Sequence, residues 1–304
     1  MVLITGGSGY LGGRIAVHLK RLGYQVRIGK SVESDSKGFP IDFNDDHSIN
    51  SACDGVSSII HLAAMNAQSC DHNPEKALLI NGLGTLKLLK ASKKNRVSKF
   101  LYFSTAHIYG SPLKGEINEE LLPRPLHPYS ITHRVAEDYV MEEACQQGLS
   151  ATVFRLTNAI GSPITPQANC WMLVANDFCR QVVINKSIKV HSNKFLQRDF
   201  IPISSICSVV SSSLNSNILD GEIVNLSSGI ATTLQSLATL IANRSEAVLG
   251  FRPHINFLSN STEVGTSELI ISNSKLSYLG FKIDNNLSDE VDQLLLNCNK
   301  WFSN

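Results

Sequence analysis

Near its start the chain reads Val2-Leu3-Ile4-Thr5-Gly6-Gly7-Ser8-Gly9-Tyr10-Leu11-Gly12, an apolar run followed by glycines at 6, 9 and 12. Glycine lets a backbone turn tightly and a ligand come close, and free N–H groups at a helix start attract negative charge. This spacing therefore suits a pyrophosphate. A second polar stretch, Ser104-Thr105-Ala106-His107-Ile108-Tyr109-Gly110, follows another apolar run. A hydroxyl there can donate to a ligand oxygen or cap a turn. A third, Pro125 to His133, breaks the chain and opens a helix on which Tyr129 and His133, four residues apart, share one face.

The elements that must hold these residues alternate. Strands are expected at Val2–Thr5, Gln25–Ile28, Ser58–Leu62, Phe100–Ser104 and Ala151–Leu156, with helices at about 11–22, 75–93 and 130–147. Leu11, Ile15, Leu19 and Leu22 recur at helical spacing, and Gly23 and Gly148 stand where helix C-caps belong. Such alternation implies a doubly wound parallel α/β sheet with ligands beyond the carboxyl ends of its strands. At those ends, His61-Leu62-Ala63-Ala64 offers small residues that let a backbone approach phosphates, as would any plain strand end. The second strand leads into Gly29-Lys30-Ser31 with no acid. An acid there would take the adenosine ribose hydroxyls of NAD. Lys30 can pair with a 2′-phosphate and favours NADP, and a solvated lysine explains it equally well. Asp42 suits an adenine edge or a turn.

After Arg155 the texture changes. A loop-rich stretch from Gly161 to Asn169 precedes a helix at about Trp171–Val183. Short strands are expected near Ile188–Val190, Phe200–Ile203 and Ile223–Leu226, and a further helix carries Leu234, Leu237, Leu240 and Ile241. A last helix aligns Leu287, Val291, Leu294, Leu295 and Cys298, with Asp289 and Glu290 in its first turn. The expected division is a dinucleotide-binding domain over 1–162, with return segments at about 199–227, and a smaller lobe from 163–198 and 228–304.

Composition excludes several classes. The 304 residues carry 27 basic and 26 acidic side chains, 17% charged and 43% hydrophobic, as in an ordinary globular protein. No basic run suggests nucleic acid, and no apolar stretch reaches the roughly 18 residues that span a bilayer. No signal-peptide pattern precedes the first strand, which points to the cytoplasm. Seven scattered cysteines without a C-x-x-C pair are expected to be reduced, and the nine histidines form no metal-ligand cluster.

Together these segments resemble the extended short-chain dehydrogenase/reductases, in particular the NAD-dependent epimerase/dehydratase group that acts on nucleotide sugars. Thr5 to Gly12 is similar to its T-G-x-x-G-x-x-G, His61–Ala64 to H-x-A-A, and Ser104–Gly110 to S-[ST]-x-x-V-Y-G. Asn81 and Gly84-Thr85 match the helix that follows H-x-A-A. Arg155–Gly161 matches R-x-x-N-x-x-G, and Arg198–Ile201 matches R-D-[FY]-[IV]. The resemblance implies a Rossmann-type sheet with a smaller C-terminal α/β substrate lobe. It implies NAD or NADP bound by Gly6, Gly9, Tyr10, Leu11, Gly12, Lys30, Asp42, Phe43, Leu62, Ala63, Ala64, Asn81, Tyr129 and His133. It places substrate at His107, Asn158 and Arg198. It makes Tyr129 the general acid/base on a sugar hydroxyl or ketone and Thr105 a holder of the same oxygen. It also implies a homodimer through the helix after residue 75 and the helix bearing Tyr129.

Departures narrow the reaction. The family's lysine four residues after the tyrosine is here His133, with Glu137 keeping the register. That lysine bonds the nicotinamide ribose and supplies a cation beside the tyrosine. A histidine is mostly neutral at pH 7, bonds a ribose hydroxyl and supplies less charge, which favours a tyrosine acting as an acid. Ala106-His107 replaces the Asp-Glu pair of the sugar 4,6-dehydratases, so dehydration is not expected. The arginine that usually precedes a Gly-Asp in the second lobe has no counterpart at about Ser261–Thr266. The expected function is an NAD(P)-dependent epimerase or oxidoreductase acting through a keto intermediate on a sugar, nucleotide-linked. The alternatives are an NADPH-dependent ketoreductase and a catalytically weak dinucleotide-binding sensor or partner protein.

Overall fold

In the computed structural model, described over residues 1–146, 149–259 and 268–303, seven parallel strands form the central sheet. In chain order the first half runs β1 (Val2–Thr5), α1 (Tyr10–Arg21), β2 (Val26–Ser31), β3 (Phe39–Ile41), α2 (Asp46–Cys53) and β4 (Ser58–His61). Then come α3 (Ala67–His72), α4 (Pro74–Ala77), a π-helical turn (Leu78–Leu83), α5 (Gly84–Lys94), β5 (Lys99–Thr105) and a 3-10 turn (Ala106–Tyr109). β6 (Gly115–Ile117), α6 (Pro128–Cys145) and β7 (Ser150–Leu156) complete it. The second half holds β8 (Asn158–Ile160), α7 (Val174–Asn185), β9 (Ser187–Val190), β10 (Gln197–Pro202), α8 (Ile203–Leu214), β11 (Glu222–Leu226), β12 (Ala231–Thr233), α9 (Leu234–Leu249), β13 (His254–Phe257), β14 (Leu269–Ile271), α10 (Ser274–Tyr278) and α11 (Leu287–Phe302).

The sheet order is β3-β2-β1-β4-β5-β7-β11, all parallel. Strand order reverses between β1 and β4, which opens a crevice at their carboxyl ends beside the glycine loop. Both faces are covered, as parallel strands require. Ile15 and Leu19 of α1 pack with Ile206 and Val210 of α8 on one face, and Leu88 of α5 with Ala136 and Val140 of α6 on the other. A separate core joins α7, α9 and α11 through Phe178, Leu237, Ile241, Val291 and Leu295. Smaller pairings, β12-β10-β8, β13-β9 and β14-β6, build the rest.

Two local expectations change. The helix expected at 75–93 is broken by the π-helical turn, which carries Asn81. The strand expected at Phe200–Ile203 ends at Pro202, and Ile203 opens α8. Its serines and β-branched residues are poor helix formers, and burial of Ile206, Val209 and Val210 on the sheet overrides that preference. Glu290 is 4% exposed. It stands in the first turn of α11 as expected, and there accepts two bonds from Arg14 (2.9 and 2.8 Å) and one from the Ser204 N–H (2.8 Å). Gly23 holds a positive φ of 87° just past α1, as a helix stop requires. Gly148 and the Ser261–Thr266 stretch lie outside the described residues. The seven cysteines are free thiols, six of them buried. Among the described residues no helix is long and apolar enough to cross a membrane, and no cluster of His, Cys, Asp and Glu could hold a metal ion.

Candidate active site

The glycine loop packs against its own backbone. A Cβ on Gly12 would lie 2.3 Å from the Gly6 carbonyl oxygen, and one on Gly6, at φ 66°, would lie 3.1 Å from the Ala63 nitrogen. α1 starts at Gly9 without a side-chain cap and without an acid in its first turn, so its first N–H donors stay open to an anion. A groove of about 790 Å³ runs past Gly6, Ser8 and Gly9, Lys30, Asp42 and Phe43, and Leu62, Ala63 and Ala64. These residues fit a dinucleotide: an open helix start for the pyrophosphate and a long groove on either side of it. Lys30 donates to the Ser34 carbonyl within the groove wall. Asp42 lines the groove while its carboxylate accepts from the Asn44 N–H and side-chain amide (2.9 and 3.0 Å), so the turn role is realised.

Other residues expected at the cofactor stand behind this wall. The Tyr10 hydroxyl donates toward the Gly161 carbonyl (3.0 Å), with desolvation holding its pKa far above the ordinary tyrosine value. The Leu11 side chain packs in the core. Asn81 accepts from the Met65 N–H (2.8 Å) and donates to the Thr132 hydroxyl (3.0 Å), which ties the loop after β4 to α6. His61 does similar work. Thr85 donates to the Asn81 carbonyl (2.6 Å), so it accepts from His61 Nε2–H (2.9 Å). His61 Nδ1 then accepts from the Thr5 hydroxyl (2.6 Å), and Thr5 in turn accepts the Leu62 and Ala63 N–H groups (both 3.2 Å). Burial, with His133 as a smaller cause, pushes His61 down to about 3 and keeps it neutral.

Thr105, Tyr129 and His133 come together at the carboxyl end of β5. Thr105 caps the following 3-10 turn, accepting from the His107 N–H (3.2 Å), and its hydroxyl lies close enough to Tyr129 to favour the phenolate. Pro128 at the first position of α6 sets the helix start that presents Tyr129. Burial pushes Tyr129 up to about 12, and the neighbouring Thr105 hydroxyl offsets only part of that. The rings of Tyr129 and His133 meet edge to face with centroids 4.5 Å apart. His133 is 3% exposed and burial pushes it down to about 4, so it is neutral at physiological pH. Its Nδ1 lies 2.7 Å from the Tyr102 hydroxyl. Two buried polar atoms in this region, His133 Nε2 and Ser104 Oγ, have no hydrogen-bond partner among the described residues. Such orphans are unusual and mark a place where a ligand can bond.

A second cavity of about 220 Å³ brings together His107, Asn158 and Arg198 with apolar walls from Leu113, Leu196, Leu269 and Ile271. Among the described residues no carboxylate pairs with Arg198, which leaves its charge available to an anionic group. Next to it, the buried Asp199 accepts from the Thr157 hydroxyl (2.6 Å), the Ser228 N–H and hydroxyl (both 2.9 Å) and the Gly229 N–H (2.8 Å). This clamp fixes β10 at the residue after Arg198. Beneath α6, Arg155 bonds both oxygens of Glu137 (3.1 and 2.9 Å) and the Tyr109 hydroxyl (3.0 Å), all buried.

The chain belongs to the NAD dependent epimerase/dehydratase family, whose model matches residues 2–227. Among its relatives is a GDP-6-deoxy-D-talose 4-dehydrogenase of Aggregatibacter actinomycetemcomitans, 29% identical over 248 residues that make up 80% of each chain. Solved structures share the Rossmann-type fold. RMD from Pseudomonas aeruginosa, complexed with NADPH, has a TM-score of 0.80 at 22% identity, covering 98% of each chain. A UDP-glucose 4-epimerase from Thermotoga maritima with UDP-glucose has a TM-score of 0.83 at 22% identity, also covering 98% of each.

Sequence reasoning missed Tyr102, Asp199 and the Arg14–Glu290 pair. Asp199 stands in the R-D-[FY]-[IV] segment, where an acid inside a strand was a usable signal. Tyr102 reads as one more apolar strand residue, and Arg14 and Glu290 are 276 residues apart.

Proposed function

We propose that the chain is an NAD(P)-dependent oxidoreductase that reduces a carbonyl on a nucleotide-linked sugar, with Tyr129 as the proton donor. The carrying observation is the Tyr129–His133 pair: a tyrosine pushed up to about 12 beside a histidine pushed down to about 4, with no cation between them. At pH 7 such a tyrosine stands almost wholly in its protonated form, so it carries a proton to give and is seldom free to accept one. Thr105 donates to the same substrate oxygen and orients it. A dinucleotide in the groove, with its pyrophosphate at the start of α1, supplies the hydride chemistry. Gly6, Gly9, Gly12 and Leu62–Ala64 shape its bed, Lys30 favours a 2′-phosphate, and His133 faces the ribose. Arg198, Asn158 and His107 receive the nucleotide diphosphate end of the substrate, residues 163–198 and 228–304 forming that lobe.

A second reading, an epimerase that keeps its dinucleotide through both half-reactions, draws support from the family to which residues 2–227 belong. Denaturing the purified protein and identifying what it releases separates the two. Exchangeable NADPH supports the reductase, and retained NAD supports the epimerase. Tyr129→Phe is expected to cut turnover at least about 100-fold while sparing dinucleotide affinity, and retained turnover would remove Tyr129 from the mechanism. The exposed Leu78, Leu79 and Leu83, with Ile131 and Tyr139 on α6, support a homodimer through that face, which sedimentation would test.

A further inference from the structure

Tyr102 lies on β5, three residues before Thr105, with its side chain on the α6 side of the sheet, and it is 3% exposed. Among the described residues its hydroxyl makes one hydrogen bond, to His133 Nδ1 at 2.7 Å. The rings of His61 and Tyr129 flank this pair, with centroids 5.6 Å from Tyr102 and 4.5 Å from His133 respectively. Burial keeps the Tyr102 hydroxyl protonated and the His133 ring neutral. The pair therefore holds two hydrogens, one on the tyrosine oxygen and one on the imidazole, and two arrangements are available.

In the first, the tyrosine O–H donates to Nδ1 and the ring hydrogen sits on Nε2. One buried group, the Nε2–H, is left to find a partner. In the second, Nδ1–H donates to the tyrosine oxygen. The tyrosine hydrogen then has no acceptor among the described residues, and the Nε2 lone pair has no donor. Two buried groups are orphaned instead of one, and leaving buried polar groups unmade is what a fold avoids.

We infer that Tyr102 is a positioning residue that fixes His133 as its Nε2–H tautomer, so that the imidazole presents a neutral donor to a ribose hydroxyl oxygen of the dinucleotide. The ribose contact rests on the proposed function; the tautomer does not. The hydrogen bond between ring and phenol also fixes the ring plane, so the donor is aimed before the ligand arrives. One neutral N–H then serves where a charged side chain would bring both a donor and a cation.

The test reads the ring directly. With ¹⁵N-histidine labelling of the ligand-free protein, NMR is expected to show His133 neutral with its hydrogen on Nε2. Tyr102→Phe, which keeps the ring and removes the hydroxyl, is expected to give a mixture of tautomers and to weaken binding of NADH or NADPH roughly fivefold. In a His133→Ala background, Tyr102→Phe is expected to change that affinity by less than about twofold, since its effect runs through the imidazole. A ring hydrogen on Nδ1 in the unsubstituted protein, or a tautomer unmoved by Tyr102→Phe, would overturn the assignment. So would an equal loss of affinity in both backgrounds, which marks a purely structural effect. If the unsubstituted protein binds neither dinucleotide, the reading of the groove falls and takes the ribose contact with it, while the NMR result decides the tautomer on its own.

Discussion

The imidazole of His133 stands edge to face against the phenol of Tyr129, 4.5 Å between centroids, and carries no charge there. In the proposed mechanism Tyr129 therefore acts without a cation from His133. His133→Lys should lower the Tyr129 pKa and speed oxidation of the alcohol more than reduction of the ketone. The gain expected near pH 7 is roughly 10-fold or more, with a flatter pH profile. An unchanged profile in both directions would show that His133 does not set the charge at Tyr129.

The two buried histidines make the fold acid-labile. His61 and His133 titrate near 6.5 when unfolded and at about 3 and about 4 when folded. Between pH 4 and 6.5 the unfolded chain binds more protons, so stability is full above about 6.5 and falls as pH drops. The slope is roughly 1.4 kcal/mol per pH unit for each histidine. Urea unfolding across this window should show it, and His133→Gln should remove about half of the slope. An unaltered slope in that variant would mean His133 already titrates normally in the fold.

Glu137 and Arg155 form a fully buried pair that anchors α6, and with it Tyr129, to β7. Arg155→Met leaves the buried Glu137 carboxylate to a longer pair with Arg134 (3.6 Å), so it should cost about 3 kcal/mol by thermal or chemical unfolding. Glu137→Leu combined with Arg155→Met should recover most of that loss. A single variant that loses less than about 1 kcal/mol would show that water reaches the pair.

Gly12 has no room for a side chain. Alanine there would place Cβ against the backbone of Gly6 and Gly7, at 2.3 and 2.8 Å, where nothing flexible can give way. Gly12→Ala should destabilise the fold by about 1–3 kcal/mol and spread the loop, weakening dinucleotide binding about 10-fold or more. Calorimetry of unfolding together with dinucleotide titration checks both, and normal affinity would show that the loop's packing does not shape the ligand bed.

Much of this molecule is written locally. The glycine spacing, the apolar runs at Val2–Thr5 and Ser58–His61, and the period of Leu287, Val291, Leu294 and Leu295 each specify an element through nearest neighbours alone. The same local logic brought Tyr129 and His133 onto one helix face. α8 escaped it, because its serines and β-branched residues favour no helix until Ile206 and Val210 are buried on the sheet. What the tertiary structure alone decided is charge and hydrogen-bond partnership. A pKa depends on every atom that displaces water from a group, and those atoms come from distant segments. The sequence placed a histidine, mostly neutral at pH 7, beside the tyrosine; burial pushes it further down to about 4, and packing against Tyr102 and Tyr129 orients it and leaves its Nε2 without a partner among the described residues.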